Sequence, residues 1–239
     1  MILGSTGSIG VQALEIVAAN PETFRVVGLS AGRKNPDLLM QQAKKFGVPI
    51  VGTMAPAAET AGVKIIEGVN SSNEIAALPC DIVLNGITGA IGLGPTLSAL
   101  KAGNKVALAN KESLVAGGDL VTDLVKQLNA KNGGNYLLPV DSEHSAIFQA
   151  LLAGKKNEVK KLILTASGGP FLRYSAEQLA QVSVTDALAH PNWSMGPKIT
   201  VDSATMMNKA LEIIEARWLF DLSVDEIGVV ARTASRYAA

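Results

Sequence analysis

Three carboxylates are the residues of this chain best suited to hold a hard cation. Two flank a serine in Asp141-Ser142-Glu143-His144, where a strand is expected to hand over to a helix. The third, Glu212, follows Lys209 by three residues and Asn208 by four on an expected long helix, so all three project from one helix face. A carboxylate at a helix N-terminus also favours the helix through its dipole, so capping is the plainer reading of Asp141 and Glu143, and Glu212 tips the balance toward a metal site. As a metal site, an all-oxygen donor set suits Mg2+ or Mn2+ rather than structural zinc. Ser167, in Thr165-Ala166-Ser167-Gly168-Gly169-Pro170, and Ser203 offer turn hydroxyls that, with Asn208 and Lys209, suit a phosphate. The stretch His190-Pro191-Asn192-Trp193-Ser194-Met195-Gly196-Pro197 reads either as a lid carrying Trp193 or as a loop whose tryptophan joins the core.

A second chemistry is written at the start of the chain. Gly4-Ser5-Thr6-Gly7-Ser8-Ile9-Gly10 follows a short apolar strand and opens a helix, the context in which glycines let a backbone approach a dinucleotide pyrophosphate. An NAD site usually carries an acid about 20 residues further on, to receive the ribose hydroxyls. Here the second strand runs into Ser30-Ala31-Gly32-Arg33-Lys34-Asn35, two cations with no carboxylate, which suits the 2′-phosphate of NADPH; two solvated surface cations are the plainer reading. A further glycine turn, Asn85 to Gly92, and Asn110-Lys111-Glu112-Ser113 each follow an expected strand. Carboxyl ends of parallel strands are where open α/β sheets hold ligands, so Lys111 is a candidate for substrate or phosphate, or else a surface lysine beside an acid.

These residues require elements to position them. Through the first 140 residues, short apolar runs alternate with helical periodicity, the pattern of βαβ units and a parallel sheet. Strands are expected at 1–3, 24–29, 49–51, 63–66, 81–84, 105–108 and 136–140. After Asp141 the alternation loosens: a helix over 142–152, strands at 162–164 and 199–201, and a long helix over 204–219. The fold class is therefore α/β, with a Rossmann-like nucleotide-binding domain over 1–140 and an α+β domain over 141–239. The 239 residues, 48% hydrophobic, suffice for these two cores. Equal numbers of basic and acidic residues, 21 each, provide no positive field for nucleic acid or anionic membranes, and no apolar run nears the ~20 residues of a membrane span. Cys80, the only cysteine, excludes an internal disulfide and reads as inert packing before a buried strand. With no targeting segment visible, a cytoplasmic location is expected.

Taken together in order, GSTGSIG (4–10), NGITGAIGL (85–93), LANKESLV (108–115), LLPVDSEHSAIFQ (137–149), TASGGPF (165–171) and HPNWSMGPKITVDSATMMNKALEIIEARWLF (190–220) make the chain resemble the 1-deoxy-D-xylulose-5-phosphate reductoisomerase family. The resemblance covers residues 1–230 and implies an NADPH-dependent enzyme of non-mevalonate isoprenoid biosynthesis. In that reaction 1-deoxy-D-xylulose 5-phosphate is rearranged to a branched aldehyde and reduced to 2-C-methyl-D-erythritol 4-phosphate. It implies NADPH contacts at Thr6, Gly7, Ser8, Ile9, Gly32, Arg33, Lys34, Asn35, Asn110, Glu112 and Gly196. Asp141, Glu143 and Glu212 become ligands of Mn2+, Mg2+ or Co2+. Substrate contacts are implied at Lys111, Ser142, Glu143, Ser167, His190, Trp193, Ser203, Asn208, Lys209 and Glu212, and catalytic roles at Lys111, Asp141, Glu143, Glu212 and His190. Intact members are implied to be homodimers acting on a small sugar phosphate, without nucleic acid or membrane partners. Three departures stand out: only three residues precede Gly4, Ala210 replaces a usual glycine, and after Val230 the chain reads ARTASRYAA where the family continues into further strands and a helical domain. The expectation is a C-terminally truncated form, prone to association through Ile163, Val201, Leu211, Ile213, Ile214, Trp218 and Leu219. A nucleotide-binding fragment impaired in catalysis, or another NADPH-linked aldehyde reductase, are the alternatives.

Overall fold

Short apolar strands that are buried on both faces need helices above and below them, and residues 1–141 meet that need with a doubly covered parallel sheet. The computed structural model describes residues 1–189 and 196–231. Two compact units divide it, Met1–Asp141 and the residues from Ser142 onward.

In the first unit the strands are β1 (Ile2–Leu3), β2 (Leu29–Ala31), β3 (Ile50–Thr53), β4 (Lys64–Glu67), β5 (Ile82–Asn85), β6 (Lys105–Leu108) and β7 (Leu137–Pro139). Between them run α1 (Ser8–Ala19), α2 (Pro36–Lys45), α3 (Ser71–Ala76), α4 (Leu93–Lys101) and α5 (Glu112–Asn132). All pairings are parallel, in the order β4-β3-β2-β1-β5-β6-β7. The chain thus winds outward from β1 to β4, then returns to β1's other side with β5. That reversal opens a crevice at the carboxyl ends of β1 and β5, where such sheets place ligands. Leu3, Leu29, Val51, Val83, Val106 and Leu108 are fully buried in the sheet. The strand expected over 24–29 contributes regular pairing only from Leu29, because β1 offers ladder partners to Leu29 and Ser30 alone; Val26 is nonetheless buried.

In the second unit, α6 (Ser142–Leu151) leads to β8 (Leu162–Ala166), α7 (Ala176–Leu179), α8 (Val184–Leu188), α9 (Pro197–Ala204), α10 (Met207–Phe220) and β9 (Ile227–Ala231). β8 and β9 pair in parallel, and Leu164, Ala216 and Ile227 form the core between this pair and α10. Ile163, Val229 and Val230 are exposed on the two strands. The strand expected at 199–201 is a helix instead. Pro197 supplies a helical φ in the first turn, Thr200 Oγ1 donates to Gly196 O at 2.9 Å, and buried Thr200 packs inward, which outweighs the β preference of Ile-Thr-Val. The long helix begins later than expected, at Met207, after a left-handed turn at Met206 (φ 60°).

Cys80 lies just ahead of β5 and is half-buried, with Sγ 3.5 Å from Ile82 O. Burial pushes its thiol pKa up. Thiolate is the attacking species, so at mildly alkaline pH Cys80 is expected to react with iodoacetamide more slowly than free cysteine. Its rate should still be climbing at the pH where free cysteine levels off. A pH–rate profile levelling at or below the free-cysteine midpoint would contradict this.

Candidate active site

The glycine-loop end of the candidate site is built from backbone. Gly4 N and Ser5 N both donate to Ser30 O at 2.9 Å, tying the glycine loop to the end of β2. Two positions in the loop admit only glycine. At Gly4 (φ +75°) a Cβ would stand 2.9 Å from Gly86 O, and at Gly10 it would stand 2.4 Å from Ser5 Cα, so α1 presses directly on the loop. Gly7, Ser8 and Ile9 are exposed, Thr6 is half-buried, and the first turn of α1 carries no acid. Amides at such a helix start bind anions through their N–H groups and the helix dipole. Gly32, Arg33, Lys34 and Asn35 are exposed immediately beyond β2, beside this loop in the sheet order.

Asn110 sits behind that surface. It is buried, donates to Ile87 O at 2.6 Å, Gly89 O at 2.9 Å and Glu112 Oε2 at 3.1 Å, and accepts from Ser113 N at 2.9 Å. Asn110 and Glu112 therefore fix the turn after β5 as well as lying at the crevice. Lys111 is buried rather than a surface residue, and its Nζ pairs with Asp141 Oδ2 at 2.7 Å.

The second unit gathers the remaining candidates around α10. Its buried face is polar: Lys209, Glu212 and Glu215, spaced by three, are buried together with Ala216. Lys209 Nζ donates to Glu143 Oε1 at 3.0 Å, to Thr165 O at 2.5 Å and to Glu212 Oε2. Asn208 Nδ2 donates to Glu212 Oε1. His144 is fully buried; Nε2 meets Glu212 O at 2.9 Å, which requires the proton on that nitrogen, and Nδ1 is 3.5 Å from Glu215 Oε2. Ser142 Oγ donates to Glu143 Oε2 at 2.6 Å. The turn after β8 lies against the end of α9: a Cβ on Gly169 (φ +66°) would meet Ser203 O at 2.5 Å. That approach brings the Ser167 turn beside Ser203, which occupies the last turn of α9. Gly196 is exposed at the α9 N-cap, and His190 and Trp193 lie outside the described residues.

Comparison with known proteins identifies a family. A family model described as 1-deoxy-D-xylulose 5-phosphate reductoisomerase matches residues 1–118, and one for that enzyme's C-terminal domain matches residues 137–220. The chain belongs to this family. A curated relative from Geotalea uraniireducens is 52% identical over 237 residues, covering 95% of this chain and 60% of the relative. Another, from Kitasatospora griseola, is 49% identical over 248 residues, covering 98% and 62%. A solved reductoisomerase in complex with NADPH, fosmidomycin and magnesium superposes with a TM-score of 0.84 at 40% identity, over 97% of this chain and 60% of that one. The Zymomonas mobilis enzyme in complex with NADPH gives 0.85 at 38% identity, over 95% and 59%. The chain thus spans about 60% of the length of these relatives.

Several contributors carry no sequence signal of their own. Thr165 enters through its carbonyl, His144 and Glu215 through burial beneath Glu212, and Gln42 through the glycine loop. Gln42 is buried on α2 and donates through Nε2 to Ser5 O at 2.9 Å. Gln42→Leu removes a donor from a buried carbonyl, a loss of about 1–2 kcal/mol. For a chain of this size that lowers Tm by about 2–8 °C, and the loosened loop should weaken NADPH in a calorimetric titration. Wild-type Tm and wild-type NADPH affinity together would remove Gln42 from this role.

Proposed function

We propose that this chain carries the nucleotide-, metal- and substrate-binding machinery of an NADPH-dependent reductoisomerase. Its reaction takes 1-deoxy-D-xylulose 5-phosphate to 2-C-methyl-D-erythritol 4-phosphate, a step of isoprenoid biosynthesis. The observation that carries this reading is the oxygen cage of Glu143, Glu212 and Thr165 O beside the Ser167–Ser203 turn, in a chain of this family.

The cage already holds a cationic group, the Lys209 ammonium, so its donor chemistry fits a hard divalent ion. Glu143 and Glu212 would hold that ion. Asp141, two positions before Glu143, is kept near by the chain itself and completes the set. When bound, the ion supplies Lewis acidity toward substrate oxygens, and NADPH supplies the hydride. Thr6, Ser8 and Ile9 receive the pyrophosphate on backbone N–H groups, Gly7, whose own N–H donates to Gly4 O at 3.0 Å, contacts the cofactor without a side chain in the way, and Arg33 and Lys34, flanked by Gly32 and Asn35, bind the 2′-phosphate. Asn110 and Glu112 keep the turn after β5 in place against the cofactor, with Gly196 as a further contact. Ser167, Ser203, Asn208 and Lys209 orient the substrate phosphate. Ser142, His190, Trp193 and Lys111 contact the rest of the substrate, Lys111 being oriented by Asp141. His144 and Glu215 position Glu212 from beneath.

The same reading includes a cytoplasmic location and assembly as a homodimer; a single cysteine fits a reducing compartment. Among the described residues no helix is long and apolar enough to cross a membrane.

The test is NADPH consumption by the purified chain with 1-deoxy-D-xylulose 5-phosphate, with and without Mn2+. Consumption that requires both the sugar phosphate and Mn2+ is expected. Reduction of simple aldehydes without metal would instead favour another NADPH-linked reductase, and NADPH binding without turnover would favour a catalytically impaired fragment.

A further inference from the structure

The count of donors and acceptors around Lys209 leads beyond the binding roles given above. An ammonium has three N–H donors. All three have an acceptor here: Glu143 Oε1 at 3.0 Å, Thr165 O at 2.5 Å and Glu212 Oε2. In this arrangement Lys209 has no donor left for a phosphate, although the Ser167–Ser203 turn and Asn208 stand beside it. The two carboxylates, for their part, direct one oxygen each at the ammonium. Lys209 and Glu212 are 6% and 1% exposed, so little water is present to screen two cations placed in one cage. The cage therefore accepts an ammonium or a divalent ion, and not both.

We propose that Lys209 and the divalent cation are alternative occupants of the Glu143–Glu212 cage. Metal entry expels the Lys209 ammonium and frees its three donors for a phosphate monoester on the Ser167–Ser203 side. The lysine thereby acts as a built-in counter-cation that keeps the buried Glu212 and the partly exposed Glu143 neutralised until metal arrives. It also enforces an order, because the phosphate acquires its lysine only after the metal has bound. This inference rests on the reading of Glu143 and Glu212 as metal ligands given under the proposed function, and the experiment separates the two.

Acylation of the intact chain by an amine-reactive acetylating reagent, read peptide by peptide by mass spectrometry, follows Lys209 directly. Without metal, Lys209 is expected to be protected by its ion pairs; saturating Mg2+ should speed its acylation at least about tenfold, with exposed Lys131 unchanged as the internal control. Inorganic phosphate should slow Lys209 acylation again in the presence of Mg2+ and have no effect without it. In parallel, calorimetric Mn2+ titration of Lys209→Met should show at least about tenfold tighter binding than wild type, since the competing charge is gone. Should Lys209→Met fail to fold, the acylation measurement on the wild-type chain decides alone. If Mn2+ binds wild type but Lys209 acylation is unchanged by metal, or if metal affinity in Lys209→Met is equal or weaker, the competition is overturned while the metal site stands. If neither ion binds the wild-type chain, the metal reading itself falls and the inference falls with it.

Discussion

Glu212→Gln is expected to lower the thermal stability of the metal-free protein by about 3 kcal/mol and to abolish its stabilisation by Mn2+. The carboxylate is 1% exposed, paired with Lys209 and hydrogen-bonded to Asn208. Removing one partner of a buried pair typically costs about 3–5 kcal/mol, because the charge left behind has lost both water and counterion. Glutamine keeps the shape and one acceptor oxygen, which places the loss at the lower end of that range, or a Tm roughly 6–12 °C lower. The wild-type protein should gain about 2.7 kcal/mol at a Mn2+ concentration 100 times its Kd, and the variant almost none. Differential scanning calorimetry with and without Mn2+ reads both effects. An unchanged Tm would show that the ion pair contributes nothing net, and an unchanged Mn2+ response would remove Glu212 from the metal site.

The second large effect concerns cofactor choice. Replacing both Arg33 and Lys34 by alanine should weaken NADPH by about 100-fold while changing NADH by less than about 3-fold. A charge-assisted hydrogen bond is worth about 1.5–3 kcal/mol, and exposure at the end of β2 discounts two of them toward the lower figure. NADH has no 2′-phosphate and so loses nothing specific. The wild-type preference for NADPH should also shrink as salt is raised, since both cations are exposed to solvent. Parallel fluorescence titrations with the two cofactors decide the matter; equal losses would show that these cations act on general affinity or on loop structure rather than on the extra phosphate.

The difference between these two sites explains what could be read in advance. The Arg33–Lys34 segment follows a strand directly and projects from its end, so local order along the chain suffices to find it. The glycine loop is legible for the same reason: Gly4 is needed where the backbone turns with a positive φ, and Gly10 where α1 meets Ser5 five residues back, whereas the close approach of Gly86 to Gly4 is made only by the folded sheet. The β-branched run Ile199-Thr200-Val201, by contrast, misleads, because the strand preference of three residues is smaller than the combined pull of Pro197, the Gly196 cap and the burial of Thr200.

The α10 face shows the limit most clearly. Leu211, Ile213, Ile214 and Leu219 suggest an apolar stripe turned inward, yet Lys209, Glu212 and Glu215 are the buried side chains, and Ile214 is 37% exposed. Helical spacing by itself established that Asn208, Lys209 and Glu212 share a face, and strand–helix alternation established the parallel sheet and its crevice, since both depend on periods of two to four residues. Which way that face turns, and what its lysine holds, was decided only by tertiary structure. Glu143 reaches Lys209 across 66 residues of chain, and Thr165 across 44. Burying charge is costly unless each charge finds a partner, and those partners come from other elements that only the folded chain brings together.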